Sequence, residues 1–408
     1  MKVSTRKKDR KEPKGVARKA PSAGPIRKFR AWMDLGRAQG ISTTASIAII
    51  GALTSTAPLA IFDLRSPGKL DLFSIIGFIL ISCFSHTVPN CYIELGDLPL
   101  DSKIPESSMK PIVSGILKKD EVMWFVRLGL VASFVLCFIF FMRLEVLIFL
   151  GLSAFWVMWY GSGPGKRIYG SYDFSFSMAY AFYVLFAVFA VGQPTIYTWL
   201  FIGVVVTGGT AFAQWENGLK DIDADRATGV KSFAVLTGVK GNKRLSATHP
   251  FMLYGYLLKI GMLLCCFGAL YEMFVRGTML DGPIVAALGL GGKLQLYIPY
   301  AIFLFTYGFG SQVFLMKRFL KHRTRLGIRR TILFDVPLSA LAGFSVVLGM
   351  TTSLTLFLVV VFLIGGYFIG SGLQYGTEFK FGRYNSDYDE RMRKERELLK
   401  AKAELSEE

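Results

Sequence analysis

Residues 93–111 read "IELGDLPLDSKIPESSMKP" and bring Glu94, Asp97 and Asp101 to the end of a long apolar run, with Lys110-Pro111 closing the stretch. Asp97 and Asp101 stand four residues apart, so on the end of a helix both project from one face, about 5 to 6 Å from each other. Carboxylates so placed repel unless a cation lies between them. Within hydrocarbon each would cost roughly 2.5 to 3.5 kcal/mol on insertion scales. A second stretch, "NGLKDIDADRATGVKS" at 217–232, repeats the arrangement with Asp221 and Asp225 after another apolar run. Acids that end apolar helices, twice at one spacing, are the feature to be explained.

Working outward, the 408 residues are 52% hydrophobic and 14% aromatic, with a mean hydropathy of +0.43. That is too apolar for a chain that must cover itself with a water-facing surface. Runs of about 20 apolar residues can cross roughly 30 Å of hydrocarbon as helices. They fall at 41–62, 71–95, 122–141, 144–161, 174–192, 196–217, 251–275, 296–316, 332–350 and 354–372. The reading is an all-α integral membrane protein with nine to ten transmembrane helices. No cleavable secretory signal precedes the first run. The five cysteines lie in or beside apolar runs without metal-ligand spacing, and read as core fillers.

A net charge of +18 raises nucleic acid as a partner, yet the basic residues sort by loop. The N-terminal tail, the loops at 96–121, 162–173 and 219–250, and "KRFLKHRTRLGIRR" at 317–330 are rich in Lys and Arg; the loops near 142, 194, 278 and 352 are not. This positive-inside alternation places the N-terminus, both acid motifs and, with ten helices, the C-terminus in the cytoplasm. Attraction to anionic membrane lipid accounts for the basic tail without nucleic acid. Three regions follow: a basic, mostly disordered arm over 1–38 with an interfacial segment near Phe29 to Leu35, a membrane domain over 39–373, and a charged tail over 374–408.

The acids fit magnesium, which takes oxygen ligands, uses one or two carboxylates and shares its other positions with water and phosphate. Lys110 after the first cluster, and Lys220, Arg226 and Lys231 in or beside the second, add the cations of a diphosphate site. An allylic chain would lie between the helices, and charge developing on the leaving diphosphate would be stabilised by the metal and cations. The bland alternative, solvated acids at helix ends, covers one such pair more easily than two. A different class, an ion-coupled secondary transporter, would carry its acids near mid-membrane on broken helices. His86, His249 and His322 are scattered, and His86 on an apolar helix reads as a hydrogen-bonded core residue.

These motifs resemble those of the UbiA superfamily of intramembrane prenyltransferases. "IELGDLPLD" is similar to the family's first motif, N-D-x-x-D-x-x-x-D, with Glu94, Asp97 and Asp101 at acidic positions, and "KPIVSG" supplies the basic residue, Pro, small residue and Gly that follow. "DIDADRATG" matches D-x-x-x-D-R-x-x-G through Asp221, Asp225, Arg226 and Gly229, with Asn217 upstream. "WYGSGPGKRIYGSYD" at 159–173 is similar to the family's Tyr- and Lys-bearing loop, and Arg37 stands where many members carry a basic residue. Ile93 replaces the usual Asn, Glu94 the usual Asp and Lys110 a frequent Arg; Asn90 lies one turn before Ile93.

The resemblance implies a helical bundle around a central cavity and Mg2+-dependent transfer of an isoprenoid from a prenyl diphosphate to a lipophilic acceptor. It implies catalytic, metal-holding Asp97, Asp101, Asp221 and Asp225 with Glu94 as a helper. Arg37, Lys110, Tyr160, Lys166, Asn217, Arg226 and Lys231 would bind the diphosphate. The family's acceptors include quinone precursors, archaeal ether lipids and carotenoids, and nothing in the sequence selects among them.

Overall fold

The structure, a computed structural model, describes residues 24–57, 59–60, 69–102, 110–213, 218–240, 246–276, 339, 343, 345–347 and 353–375. Twelve α-helices lie among them: α1 Pro25–Leu35, α2 Ile41–Leu53, α3 Leu72–Asp101, α4 Lys119–Phe141, α5 Leu144–Gly161, α6 Gly163–Arg167, α7 Ser171–Val191, α8 Ile196–Thr210, α9 Gly218–Thr228, α10 Phe233–Leu236, α11 His249–Arg276 and α12 Ser353–Tyr375. Two strands of two residues, β1 Leu59–Ala60 and β2 Leu70–Asp71, pair in parallel.

Six helical stretches are long and apolar enough to cross a membrane, within α3, α4, α5, α7 and α11 and from α8 on to Ala213, and two shorter apolar ones lie at Ala38–Leu53 and Val361–Leu373. The expected count of nine to ten is therefore matched only in part among the described residues. The expected span at 296–316, most of that at 332–350 and the tail beyond 375 lie outside them, as do residues 1–23 of the arm.

Side-chain pattern separates inner from outer helices. On α4, Trp124, Leu128, Val131, Val135 and Phe138 recur every three or four residues and are exposed, a stripe suited to lipid and costly in water. In α7 the balance reverses: 61% of its most apolar window is buried, against 28% for α4. Around α7, Phe78 of α3, Phe141 of α4 and Phe186 of α7 pack with ring centroids 5.0 to 6.0 Å apart. The Tyr183 hydroxyl, deep in that core, is satisfied by Ser82 Oγ at 2.7 Å.

The first expected span, 41–62, ends early, at Leu53. Thr54 and Ser55 turn their hydroxyls back onto the carbonyls of Gly51 and Ala52, both at 2.7 Å, a local bond that competes with helix continuation. The Thr54 carbonyl then accepts from Thr195 Oγ1 at 2.5 Å and Thr198 Oγ1 at 2.9 Å. These bonds tie the end of α2 to the start of α8 at the pole opposite the acids. In the other direction α3 outruns its expected end at 95 and carries the acid motif as helix to Asp101.

Candidate active site

Continuing α3 to Asp101 places Glu94, Asp97 and Asp101 at intervals of three and four residues, on one face of its last two turns. Cations from three separate elements meet that face. Lys110 Nζ lies 2.8 Å from Glu94 Oε2 and 2.8 Å from Asp101 Oδ2, so one ammonium bridges two acids seven residues apart. Lys166 Nζ donates to Asp97 Oδ1 at 2.5 Å. Arg37 Nη2 stands 3.3 Å from Glu94 Oε1. The cation that paired acids demand is thus supplied by the chain itself. Glu94 and Asp101 are 13% and 8% exposed, and charges so enclosed require such partners.

Each cation has a local reason for its place. Lys110 begins a turn in which Ser114 N bonds to the Lys110 carbonyl at 2.9 Å and Leu117 N to the Pro111 carbonyl at 3.0 Å. Gly115, at φ +74°, reverses the chain there as residues with side chains rarely do. The turn is anchored by Leu117, buried against Val88, Cys91 and Leu95 of α3, Val122 and Val126 of α4, and Ala31 and Leu35 of α1. Burial alone would lower the Lys110 pKa, but the carboxylates of Glu94 and Asp101 outweigh it and hold it above its usual value. The sign follows: this contribution is complete below about pH 10.5 and is lost only as pH rises through the raised value. Lys110 is therefore a cation throughout the physiological range.

Lys166 sits on α6, whose start is capped by Ser162 Oγ accepting from Gly165 N at 3.1 Å. α6 reaches the acids because α5 packs tightly on α3: a methyl on Gly96 would lie 3.1 Å from the Gly161 carbonyl oxygen, and one on Gly161 would lie 2.6 Å from Ile93 Cγ1. Tyr160, just before, sets its ring 5.4 Å from Phe176, which also neighbours Tyr180 at 5.1 Å and Phe212 at 6.1 Å. The expected Tyr160 therefore belongs to an aromatic group from α5, α7 and the turn that follows α8.

The second motif forms α9 and ends at Gly229, φ +74°, where Val230 N bonds to the Asp225 carbonyl at 2.9 Å, a C-terminal closure that favours glycine. Asp225 is buried and accepts from Ser232 Oγ at 3.0 Å, a partner the sequence did not single out. Arg226 donates to the carbonyl of Val239, which fastens α9 to the loop after α10; a guanidinium has five donors, so this contact does not exhaust it. Lys231 places its ammonium 4.3 Å from the centroid of the Tyr169 ring, and its backbone N bonds to the Lys166 carbonyl at 2.9 Å. Asn217 lies outside the described residues, as does the side chain of Asp221, whose backbone is in α9.

Lys166 therefore joins the two motifs. Its side chain holds Asp97 of the first, and its carbonyl holds Lys231, six residues after Asp225, of the second. Among the described residues no group of three or more Asp, Glu, His or Cys is close enough to cage a metal by itself. Asn90, considered as a substitute amide, turns instead to the His86 carbonyl at 2.8 Å. His86 is hydrogen-bonded as expected, through Thr44 Oγ1 at 2.9 Å and the Arg37 carbonyl at 3.1 Å. Arg37 itself is left-handed, φ 50° and ψ 54°, a conformation that costs a non-glycine residue on the order of 1 to 3 kcal/mol and persists only where its surroundings enforce it.

A helical membrane bundle whose acid-ended helices meet lysines under short cap helices defines a class, and comparison with known proteins names it. Residues 47–324 match the UbiA prenyltransferase family, and the chain belongs to that family. No curated protein matches the sequence. Among solved structures, one of digeranylgeranylglyceryl phosphate synthase is similar with a TM-score of 0.53 at 17% identity, covering 79% of this chain and 98% of that one. A UbiA homologue from Archaeoglobus fulgidus bound to DMAPP and Mg2+ has a TM-score of 0.53 at 13% identity, covering 81% and 99%. The same homologue bound to GPP and Mg2+ gives 0.50 at 13% identity, covering 78% and 99%. At these identities the likeness is one of fold.

Proposed function

We propose that this protein transfers an isoprenoid group from a prenyl diphosphate to a lipophilic acceptor within the membrane, with magnesium, and that the acid motifs face the cytoplasm. The observation that carries this reading is the Lys166 junction, by which one residue holds Asp97 with its side chain and the Asp225-bearing segment with its backbone. It supports one shared site for both motifs.

The donor set fits magnesium. Asp97 binds Lys166 through Oδ1 only, and its Oδ2 has no partner among the described residues. Asp97, Asp101 and Asp225, with Glu94 and Asp221, are hard oxygen donors, and a metal that shares its shell with substrate phosphate needs one or two of them rather than a closed cage. Bound there with the diphosphate, magnesium would supply positive charge to the departing group. Arg37, Lys110 and Lys166 add fixed cations for the same oxygens, placed before the reaction begins. The aromatic group of Tyr160, Phe176, Tyr180 and Phe212 offers π faces to an allylic group developing positive charge. Arg226, Lys231 and Asn217 remain proposed diphosphate ligands.

Purified protein given Mg2+, a labelled prenyl diphosphate and a panel of quinone precursors, ether-lipid precursors and carotenoids, read by mass spectrometry, tests the reaction and finds the acceptor. Asp97→Ala should leave less than about 1% of the product, a loss above about 2.7 kcal/mol in transition-state stabilisation. Full turnover by that variant would remove the carboxylate from the reaction and defeat the assignment.

A further inference from the structure

A chain of hydrogen bonds stands behind Arg37 that binding of a diphosphate does not by itself require. His86 Nε2 lies 3.1 Å from the Arg37 carbonyl, which only accepts, and 3.3 Å from Asn90 Nδ2, whose shorter bond at 2.8 Å goes to the His86 carbonyl; we assign the ring hydrogen to Nε2, which bonds the Arg37 carbonyl. Nδ1 is then the acceptor and takes the hydroxyl hydrogen of Thr44 at 2.9 Å. The Arg37 carbonyl also accepts from Gly40 N at 2.8 Å, which closes the turn 37–40 on itself. One end of the chain is thus a hydroxyl of α2, and the other is the backbone of a residue whose guanidinium faces Glu94.

The turn is shaped to admit this ring. A methyl on Gly40 would lie 2.4 Å from His86 Cε1 and 2.5 Å from Nε2, and one on Gly36 would lie 3.0 Å from Thr87 Cγ2. Glycines on both sides of Arg37 let the turn lie against α3 at the level of His86 and Thr87. Asn90, one turn further along α3, donates to the His86 carbonyl rather than to the acids. Three residues, Gly40, Thr44 and His86, thereby serve the conformation of one.

We propose that His86 is a positioning residue for the diphosphate site: it holds the left-handed turn at Arg37 through the backbone carbonyl and so aims the guanidinium at the diphosphate beside Glu94. This rests on the diphosphate reading of the site. His86 touches no substrate in this scheme and transfers no proton.

The test measures binding of inorganic pyrophosphate and of geranyl diphosphate, each with Mg2+, to full-length protein in detergent. His86→Asn, whose amide is too short to reach the Arg37 carbonyl, should weaken both ligands about tenfold. His86→Gln, whose amide nitrogen extends to the place of Nε2, should stay within about threefold of wild type. Gly40→Ala, which pushes the ring away from the other side, should match His86→Asn. In an Arg37→Ala background His86→Asn should add nothing, since its effect passes through Arg37. Wild-type affinity in His86→Asn, or an equal loss from it in the Arg37→Ala background, overturns the inference while leaving the diphosphate site standing. Should His86→Asn not fold, Gly40→Ala at wild-type affinity has the same force. Failure of the wild type to bind either ligand removes the diphosphate reading itself, and this inference with it.

Discussion

At the scale of the residue, the end of α3 is a problem of charge solved by three basic side chains on different segments. Lys110 carries the most of this load, because its one ammonium serves both Glu94 and Asp101 at 2.8 Å each. Replacing it with methionine keeps the length of the stem and leaves two enclosed carboxylates without their shared cation. Lys110→Met should therefore lower stability by about 1 to 3 kcal/mol, the cost of stranding partly buried polar partners, measured as a melting temperature in detergent. Added Mg2+ should raise the melting temperature of this variant more than that of the wild type, since a divalent ion then meets no competing ammonium. Equal responses would mean that the acids do not face a common ion. The acids were legible in sequence because a period of 3.6 decides which side chains share a face. Lys166 was legible only through the family motif, since its distance in sequence from Asp97 says nothing about contact. The role of His86 was not legible at all, because it depends on how closely the turn at 37–40 approaches α3, and that approach is permitted by the missing side chains of Gly36 and Gly40.

At the scale of the element, hydropathy found the spans that lie among the described residues and missed where two of them stop. α3 was expected to end at 95 because the residues beyond it are polar; it continues because Lys110 and Lys166 satisfy those residues from outside. α2 was expected to run to 62 because the residues beyond it are apolar; hydroxyls at Thr54 and Ser55 end it at Leu53. Tertiary partners decided both ends. The same holds for α12, which packs on the turn that carries Arg37: a methyl on Gly370 would lie 2.6 Å from the Ala38 carbonyl oxygen and 2.7 Å from Gln39 Cα, whereas Gly365 and Gly372 have open space. Backbone atoms cannot give way as a side-chain tip can. Gly370→Ala should then cost about 1 to 3 kcal/mol by overpacking, while Gly365→Ala and Gly372→Ala should be neutral or stabilise by up to about 1 kcal/mol through helix propensity. Thermal melts of the three variants decide this, and equal behaviour at all three positions would show that α12 does not bear on the Arg37 turn.

At the scale of the whole molecule, the two poles differ in chemistry. One pole gathers the carboxylate end of α3, the cap helices α6 and α9, and basic side chains from each intervening segment; the other is closed by threonine hydroxyls between Thr54, Thr195 and Thr198. α7 connects them, and its 21 residues rise about 32 Å, close to the thickness of a hydrocarbon core. In the orientation proposed above the acid pole faces the cytoplasm, the side on which Lys and Arg near helix ends are retained. Under the proposed function this orientation matters, because a diphosphate too charged to cross hydrocarbon would have to find its site on the side where it is made. Two positions on either side of α7 test it. In a chain whose five cysteines are replaced by alanine, Arg167→Cys on α6 should react with an impermeant maleimide only after right-side-out vesicles are opened. Gln193→Cys, in the turn between α7 and α8, should react from outside in intact vesicles. The reverse pattern would put the lysines and carboxylates at the outer face, where no cytoplasmic prenyl diphosphate could reach them, and the orientation read from the loops would have to be abandoned.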